Sequence, residues 1–170
     1  MNGNNVIQSE AHSSSQLTEL LTCLVGDQWI GLKVQNVREV VTKQIRTEMP
    51  LSPDCVMGLI NLRGKVITEI EVRTVVGLPH RAEEAPLHVA IVETSNGEDF
   101  GLIVDDVGAV IELDYDNFEA TPRSLSPIWL QVSEGVMKQE DRVIVVVNVD
   151  RFISLTIPDG GDANRDSGGN

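Results

Sequence analysis

Gly31-Leu32-Lys33-Val34-Gln35-Asn36-Val37-Arg38-Glu39-Val40-Val41 returns 70 residues later as Gly101-Leu102-Ile103-Val104-Asp105-Asp106-Val107-Gly108-Ala109-Val110-Ile111, on the shared pattern G-L-x-V-x-x-V-x-x-V-[VI]. A short turn and an aromatic precede each copy, Gly26-Asp27-Gln28-Trp29 in the first and Gly97-Glu98-Asp99-Phe100 in the second. Glycine, aspartate and asparagine tolerate the positive φ values of tight hairpins, so both stretches read as turns between strands. A second match follows at an offset of 77: Val66-Ile67-Thr68-Glu69-Ile70-Glu71-Val72 aligns with Val143-Ile144-Val145-Val146-Val147-Asn148-Val149. Two matches in the same order mark an internal duplication. The changed offset puts seven extra residues in the second copy, within 121–133, where Pro122 and Pro127 mark a loop.

Composition says what the repeated unit is made of. The chain has 23 Val and 13 Ile against 15 Leu and 7 Ala, and stiff β-branched side chains suit a pleated surface better than a helix. Each copy reads as about five strands: near 17–25, 28–32, 37–46, 56–62 and 66–72, then near 87–94, 99–104, 107–114, 130–137 and 143–149. Each copy closes on a short helical turn, ending at Leu78 and Leu155. The expected fold is all-β: two small five-stranded barrels in pseudo-twofold arrangement, since closing a sheet removes its exposed edges. The folded unit is placed at 16–157, with barrels at about 26–85 and 86–150 and strand exchange between them. Residues 1–15 are rich in Asn and Ser, and 158–170 in Gly, Asp and Asn. Neither segment buries enough apolar area to offset the cost of ordering it, so both are expected to be disordered.

With 26 acidic and 13 basic residues the formal net charge is −13, which argues against binding nucleic acid, because phosphate contacts need a basic surface. Six aromatics in the whole chain leave little for base stacking. No apolar run approaches the length of a membrane span, and the N-terminus lacks the basic and apolar regions of a secretory signal. Cys23 and Cys55 are too few for a disulfide scaffold and read as two buried reduced thiols of a cytoplasmic protein. The charge is uneven: residues 33–81 sum to +3, whereas 82–122 hold eleven acids and no Lys or Arg. Such a stretch is either a solubilising face or a surface that steers a basic partner.

No catalytic constellation stands out. Asp105 and Asp106, one apart on a strand, point to opposite faces. Asp114 with Asp116 and Glu69 with Glu71 share faces, but have no neighbouring histidine and no phosphate-cradling loop. His12, His80 and His88 show no ligand spacing, and Ser13–Ser15, Ser124 and Ser126 no nucleophile elbow. No enzyme activity, cofactor or metal is expected.

The two copies differ most between their fourth and fifth strands. The first reads Gly58-Leu59-Ile60-Asn61-Leu62-Arg63-Gly64-Lys65, the second Gly135-Val136-Met137-Lys138-Gln139-Glu140-Asp141-Arg142. Leu62 is either a core residue beside a solvated Arg63, or the aliphatic half of an interface hot spot with it. The stretch from Val56 to Ile67, running on to Glu71-Val72-Arg73, strongly resembles the G-x-x-N-L-R-G-x-[IV] signature of the CheW family of chemotaxis coupling proteins. Val34-x-x-Val37-Arg38-Glu39-Val40 and Leu51-Ser52-Pro53 are similar to flanking family segments, so the likeness covers about 17–157. It implies two intertwined SH3-like barrels and a non-enzymatic cytoplasmic adaptor. The implied partners are chemoreceptor signalling tips, the regulatory domain of a CheA-type histidine kinase, and other CheW-like domains. Carried over, the receptor- and kinase-facing residues are Asn61, Leu62, Arg63 and Gly64, with Glu39 nearby and Gly58, Leu59 and Ile60 along the adjoining strand. Three positions depart from the signature: Thr68 replaces a proline, Glu69 an apolar residue and Glu71 an aspartate. Alternation sets Ile67, Glu69, Glu71 and Arg73 on a face read here as outer. The competing reading is a sensory barrel that binds a small ligand in an apolar groove between the barrels.

Overall fold

The computed structural model describes residues 17–82 and 84–157; the two end segments, with His12 and Ser13–Ser15, lie outside the described residues. The first copy forms β1 (Glu19–Val25), β2 (Gln28–Lys33), β3 (Val37–Thr42), β4 (Arg46–Thr47), β5 (Val56–Leu62), β6 (Lys65–Glu71) and the turn-long α1 (Val72–Val75). The second forms β7 (His88–Glu93), β8 (Asp99–Val104), β9 (Asp106–Glu112), β10 (Phe118–Glu119), α2 (Pro127–Val132), β11 (Ser133–Gln139), β12 (Arg142–Val147) and α3 (Val149–Thr156).

These strands build two six-stranded sheets by reciprocal exchange. One runs β3-β7-β8-β6-β5-β4 and the other β10-β11-β12-β2-β1-β9. The first barrel thus borrows the β7–β8 hairpin of the second copy, and the second barrel borrows β1–β2 of the first. Each borrowed hairpin joins its host through a parallel pair, β6 with β8 and β12 with β2.

Three apolar cores result. Ile60, Ile67, Val89, Ile91 and Ile103 fill the first barrel, and Leu20, Leu113, Met137, Ile144 and Val146 fill the second. The largest lies between the sheets, where Leu21, Cys23, Ile30 and Leu32 meet Ile70, Ala90, Leu102 and Val104 beneath Trp129 and Phe152. Period-two alternation therefore serves two cores: in β12, Ile144 and Val146 point into the barrel while Val145 and Val147 point to its neighbour. That double burial is why the strand reads as an unbroken apolar run. It also counts against the ligand-groove reading, because the space between the barrels is packed with side chains.

The strand expected near 130–137 starts only at Ser133, after α2. Pro127 sits at the first helical turn, where its fixed φ suits a helix and its missing N–H costs nothing. The segment expected as one strand over 37–46 breaks into β3 and β4. α3 buries Val149, Phe152, Ile153 and Thr156, an i, i+3, i+4, i+7 stripe, and the Asn148 side chain caps it by accepting from the Arg151 N–H at 3.0 Å. Cys23 is fully buried, but Cys55 is only half-buried, and both are free thiols. Burial, helped by the Asp106 charge, pushes the Cys23 thiol up to about 12. Burial also raises that of Cys55, with Asp54 adding to it and a backbone hydrogen bond opposing it.

Two outcomes follow. Phe152→Ala, which empties the centre of the shared core, should cost about 3–5 kcal/mol in urea unfolding. A thiolate-directed disulfide reagent should label Cys55 slowly and Cys23 only after denaturant is added.

Candidate functional site

The β5–β6 turn is built by its backbone. Leu62 pairs with Lys65 across it, and the two residues between, Arg63 and Gly64, have φ of 53° and 81°. Positive φ at both central positions is the two-residue geometry whose twist matches antiparallel strands. The Asn61 side-chain oxygen accepts the Gly64 N–H at 3.0 Å and locks the turn. No atom lies within 4 Å of where a Gly64 Cβ would be, so glycine is required there for conformation and not for space.

From this turn the Arg63 guanidinium reaches Glu39 on β3, Nη2 to Oε2 at 3.0 Å, with Arg63 78% exposed and Glu39 26%. A second set of charges continues round the same end of the barrel. Arg38 contacts Glu93 at 2.7 Å and Asp99 at 3.0 Å, and Lys65 contacts the other Asp99 oxygen at 2.6 Å. Burial alone would raise the Asp99 carboxyl, but hydrogen bonds from Lys65 and Arg38 outweigh it and hold the group below the usual range.

The candidate residues fall into two groups. Asn61, Arg63 and Gly64 are exposed at the turn, with Glu39 beside them. Leu62 is half-buried and packs on the first barrel's core, between its two sequence readings. Gly58 is buried, Leu59 half-buried, and Ile60 lies inside the barrel, bracing the strand from behind.

Glu69 and Glu71 do not lie on an outer face. Glu69 is 1% exposed inside the first barrel, where Arg46 Nε and Nη2 donate to its two carboxylate oxygens at 3.3 and 3.4 Å. Glu71 is held by Arg81 at 3.0 and 3.4 Å, and Arg81 also donates to Asp105 at 2.5 Å. Asp105 further accepts from Arg73 at 2.8 Å and from the Gly26 N–H at 2.5 Å. Alternation separates the two faces of β6 but does not tell which is wet, and here the Glu69–Glu71 face is the buried one, whereas Val66 on the other is exposed. Of the carboxylates considered for acid–base chemistry, Glu69, Glu71 and Asp105 are thus neutralised by arginines, Asp114 caps a 3-10 turn, and Asp106 and Asp116 stand exposed. Among the described residues no cluster of three His, Cys, Asp or Glu side chains converges to hold a metal, and no helix is long and apolar enough to cross a membrane.

Beyond the candidate residues, the loop between β3 and β5 presents apolar side chains to solvent. Ile45 is 95% exposed, Leu51 is fully exposed with φ 63°, and Met49 is exposed as well. The signal was present in the sequence as three large apolar residues flanking Pro50 with no helical or strand period. The equivalent stretch of the second copy instead folds inward as α2 and buries Trp129 and Val132.

Comparison with known proteins agrees with this geometry. The CheW-like domain model matches residues 19–156. The chain is 32% identical over 139 residues to the chemotaxis protein CheW of Rhizobium meliloti, covering 82% of this chain and 89% of the relative. It is 30% identical over 138 residues to the probable chemotaxis protein CheW of Rhizobium etli, covering 81% and 88%. The crystal structure of the scaffolding protein TtCheW from Thermoanaerobacter tengcongensis superposes with a TM-score of 0.69 at 31% identity, covering 77% of this chain and 88% of that one.

Because the folded-state pKa of Asp99 is lowered, its contribution to stability is complete above its unfolded value, about pH 4, and is lost as pH falls through the folded value. Asp99→Asn should therefore lower the urea midpoint at pH 7 and flatten its fall below pH 4.

Proposed function

The chain belongs to the family of CheW-like domains, and we propose that its first barrel meets a chemoreceptor signalling tip at the Arg63 turn and the regulatory domain of a CheA-type histidine kinase at the 45–51 loop. Its function is that of a chemotaxis coupling adaptor, a scaffold whose work is binding. The proposed setting is the cytoplasm, at receptor arrays beneath the inner membrane, with other CheW-like domains as further neighbours.

The observation that carries the receptor assignment is the Arg63–Glu39 pair. A guanidinium is presented at high exposure on a turn whose backbone is fixed by Asn61 and Gly64, and its ion pair orients it without burying it. Little conformational freedom remains to be lost on association, and arginine beside an aliphatic side chain is a common hot-spot pairing. An adaptor needs a second face, and the exposed Ile45, Met49 and Leu51 supply one of different chemistry. Apolar side chains held clear of the body are the anchors that fill a partner's pocket.

Arg63→Ala should weaken binding to immobilised receptor signalling tips by about 2 kcal/mol without lowering the melting temperature. Unchanged binding would remove the turn from the receptor interface. Leu51→Asp should weaken kinase binding and leave receptor binding intact, and the reverse pattern would exchange the two faces.

A further inference from the structure

The exposed 45–51 loop is tied to the body at one end by very little backbone. β4 contributes two ladder residues, Arg46 opposite Ile60 and Thr47 opposite Leu59. The hydrogen bonds of its surroundings are local, from Ser52 Oγ to the Met49 carbonyl at 2.8 Å and from the Val56 N–H to the Pro53 carbonyl at 2.9 Å. What reaches deeper is Arg46, whose guanidinium passes across β5 to the buried Glu69 on β6. Gly58, which pairs with Glu69, makes room for it, since a Cβ there would overlap the Arg46 side chain and the Thr47 carbonyl. A Cβ on Gly101, the other partner of Glu69, would collide with Val89 Cγ1 and crowd the Glu69 Cγ at 3.3 Å.

The second barrel shows that the fold does not need this ion pair. There Gly135 opposes Val146, and Phe118 and Glu119 pair with Met137 and Val136, as Gly58, Arg46 and Thr47 pair in the first. Phe118 and Val146 occupy one apolar cluster. The same unit is therefore closed once by an apolar pair and once by an ion pair with a buried carboxylate, although burying a charge is the costlier solution. The difference goes with the loop that follows. After Phe118 the chain folds back onto the shared core, whereas after Arg46 it stands free with Leu51 fully exposed.

We propose that Arg46 and Glu69 form a positioning pair, which fixes β4 and thereby the presentation of the 45–51 loop to its partner. A guanidinium–carboxylate fork defines direction as well as distance, which an apolar contact does not. Glu69 and Arg46 touch no partner in this scheme and act through the loop. The proposal rests on the adaptor reading only for the partner's identity, since the loop's order is measurable on the protein alone.

The test transplants the second barrel's solution into the first as the double variant Arg46→Phe/Glu69→Val. It is expected to melt within a few degrees of the parent, to exchange backbone amide hydrogens in residues 45–55 at least tenfold faster, and to bind the kinase regulatory domain at least tenfold more weakly. Binding of receptor tips should be unchanged. Glu69→Gln, which keeps the volume and removes the charge, should loosen the same peptide by a smaller factor and serves if the double variant does not fold. Parent-like exchange in the loop with a parent-like melting temperature overturns the proposal, as does parent-like kinase binding. If the parent itself binds no kinase domain while the variant's loop exchange still rises, the positioning role stands and the partner assignment falls.

Discussion

The reciprocal exchange of the β1–β2 and β7–β8 hairpins is the constraint on which the rest of this molecule depends. Each hairpin must present one face to a barrel interior and the other to the core between the barrels. This is why Leu20 and Leu21, or Ile103 and Val104, are neighbours in sequence yet belong to different clusters. Two cores served by one strand leave no room for polar alternation, and the Val- and Ile-rich runs follow directly. The cavity that two merely adjacent barrels would enclose is consumed in the process.

The same exchange explains the charge. The contrast between a mildly basic 33–81 and a strongly acidic 82–122 looks, in one dimension, like two surfaces for two partners. In three dimensions part of it is internal. β7 and β8 carry Glu93 and Asp99 into a sheet with Arg38 and Lys65, and Asp105 at the end of β8 receives Arg73 and Arg81. Three of the eleven acids thus complement basic residues of the other copy. These pairs are partly exposed and individually small, yet together they favour pairing across copies over self-association of like segments.

How much of this was legible in sequence depends on which copy supplied a comparison. The duplication located the strands because glycine, aromatic and valine positions recur at fixed spacing, and the β5–β6 turn was visible because Asn61, Arg63 and Gly64 replace an ordinary charged hairpin. What stayed hidden needed burial. Glu69 and Glu71 read as solvent-facing because glutamate usually is, and only the third dimension supplies Arg46 and Arg81. The end of α2 looks in sequence like the start of a strand because Val132 runs into β11 without a break in apolar character. The exposure of Ile45 and Leu51 is hidden for the opposite reason, since isolated apolar residues carry no period to detect.

The exchanged hairpins also impose an order of events during synthesis. β1 and β2 leave the ribosome before the two strands that flank them, β9, which ends at Glu112, and β12, which ends only at Val147. The earliest hairpin made is among the last to be enclosed, whereas the first barrel has all its strands once Val104 has emerged. Until β12 has emerged the β2 edge of an apolar hairpin stays unpaired, the exposure that slows folding in proteins of non-local topology and invites strand addition from outside. The arrangement that knits the two copies into one molecule therefore has its cost in the nascent chain.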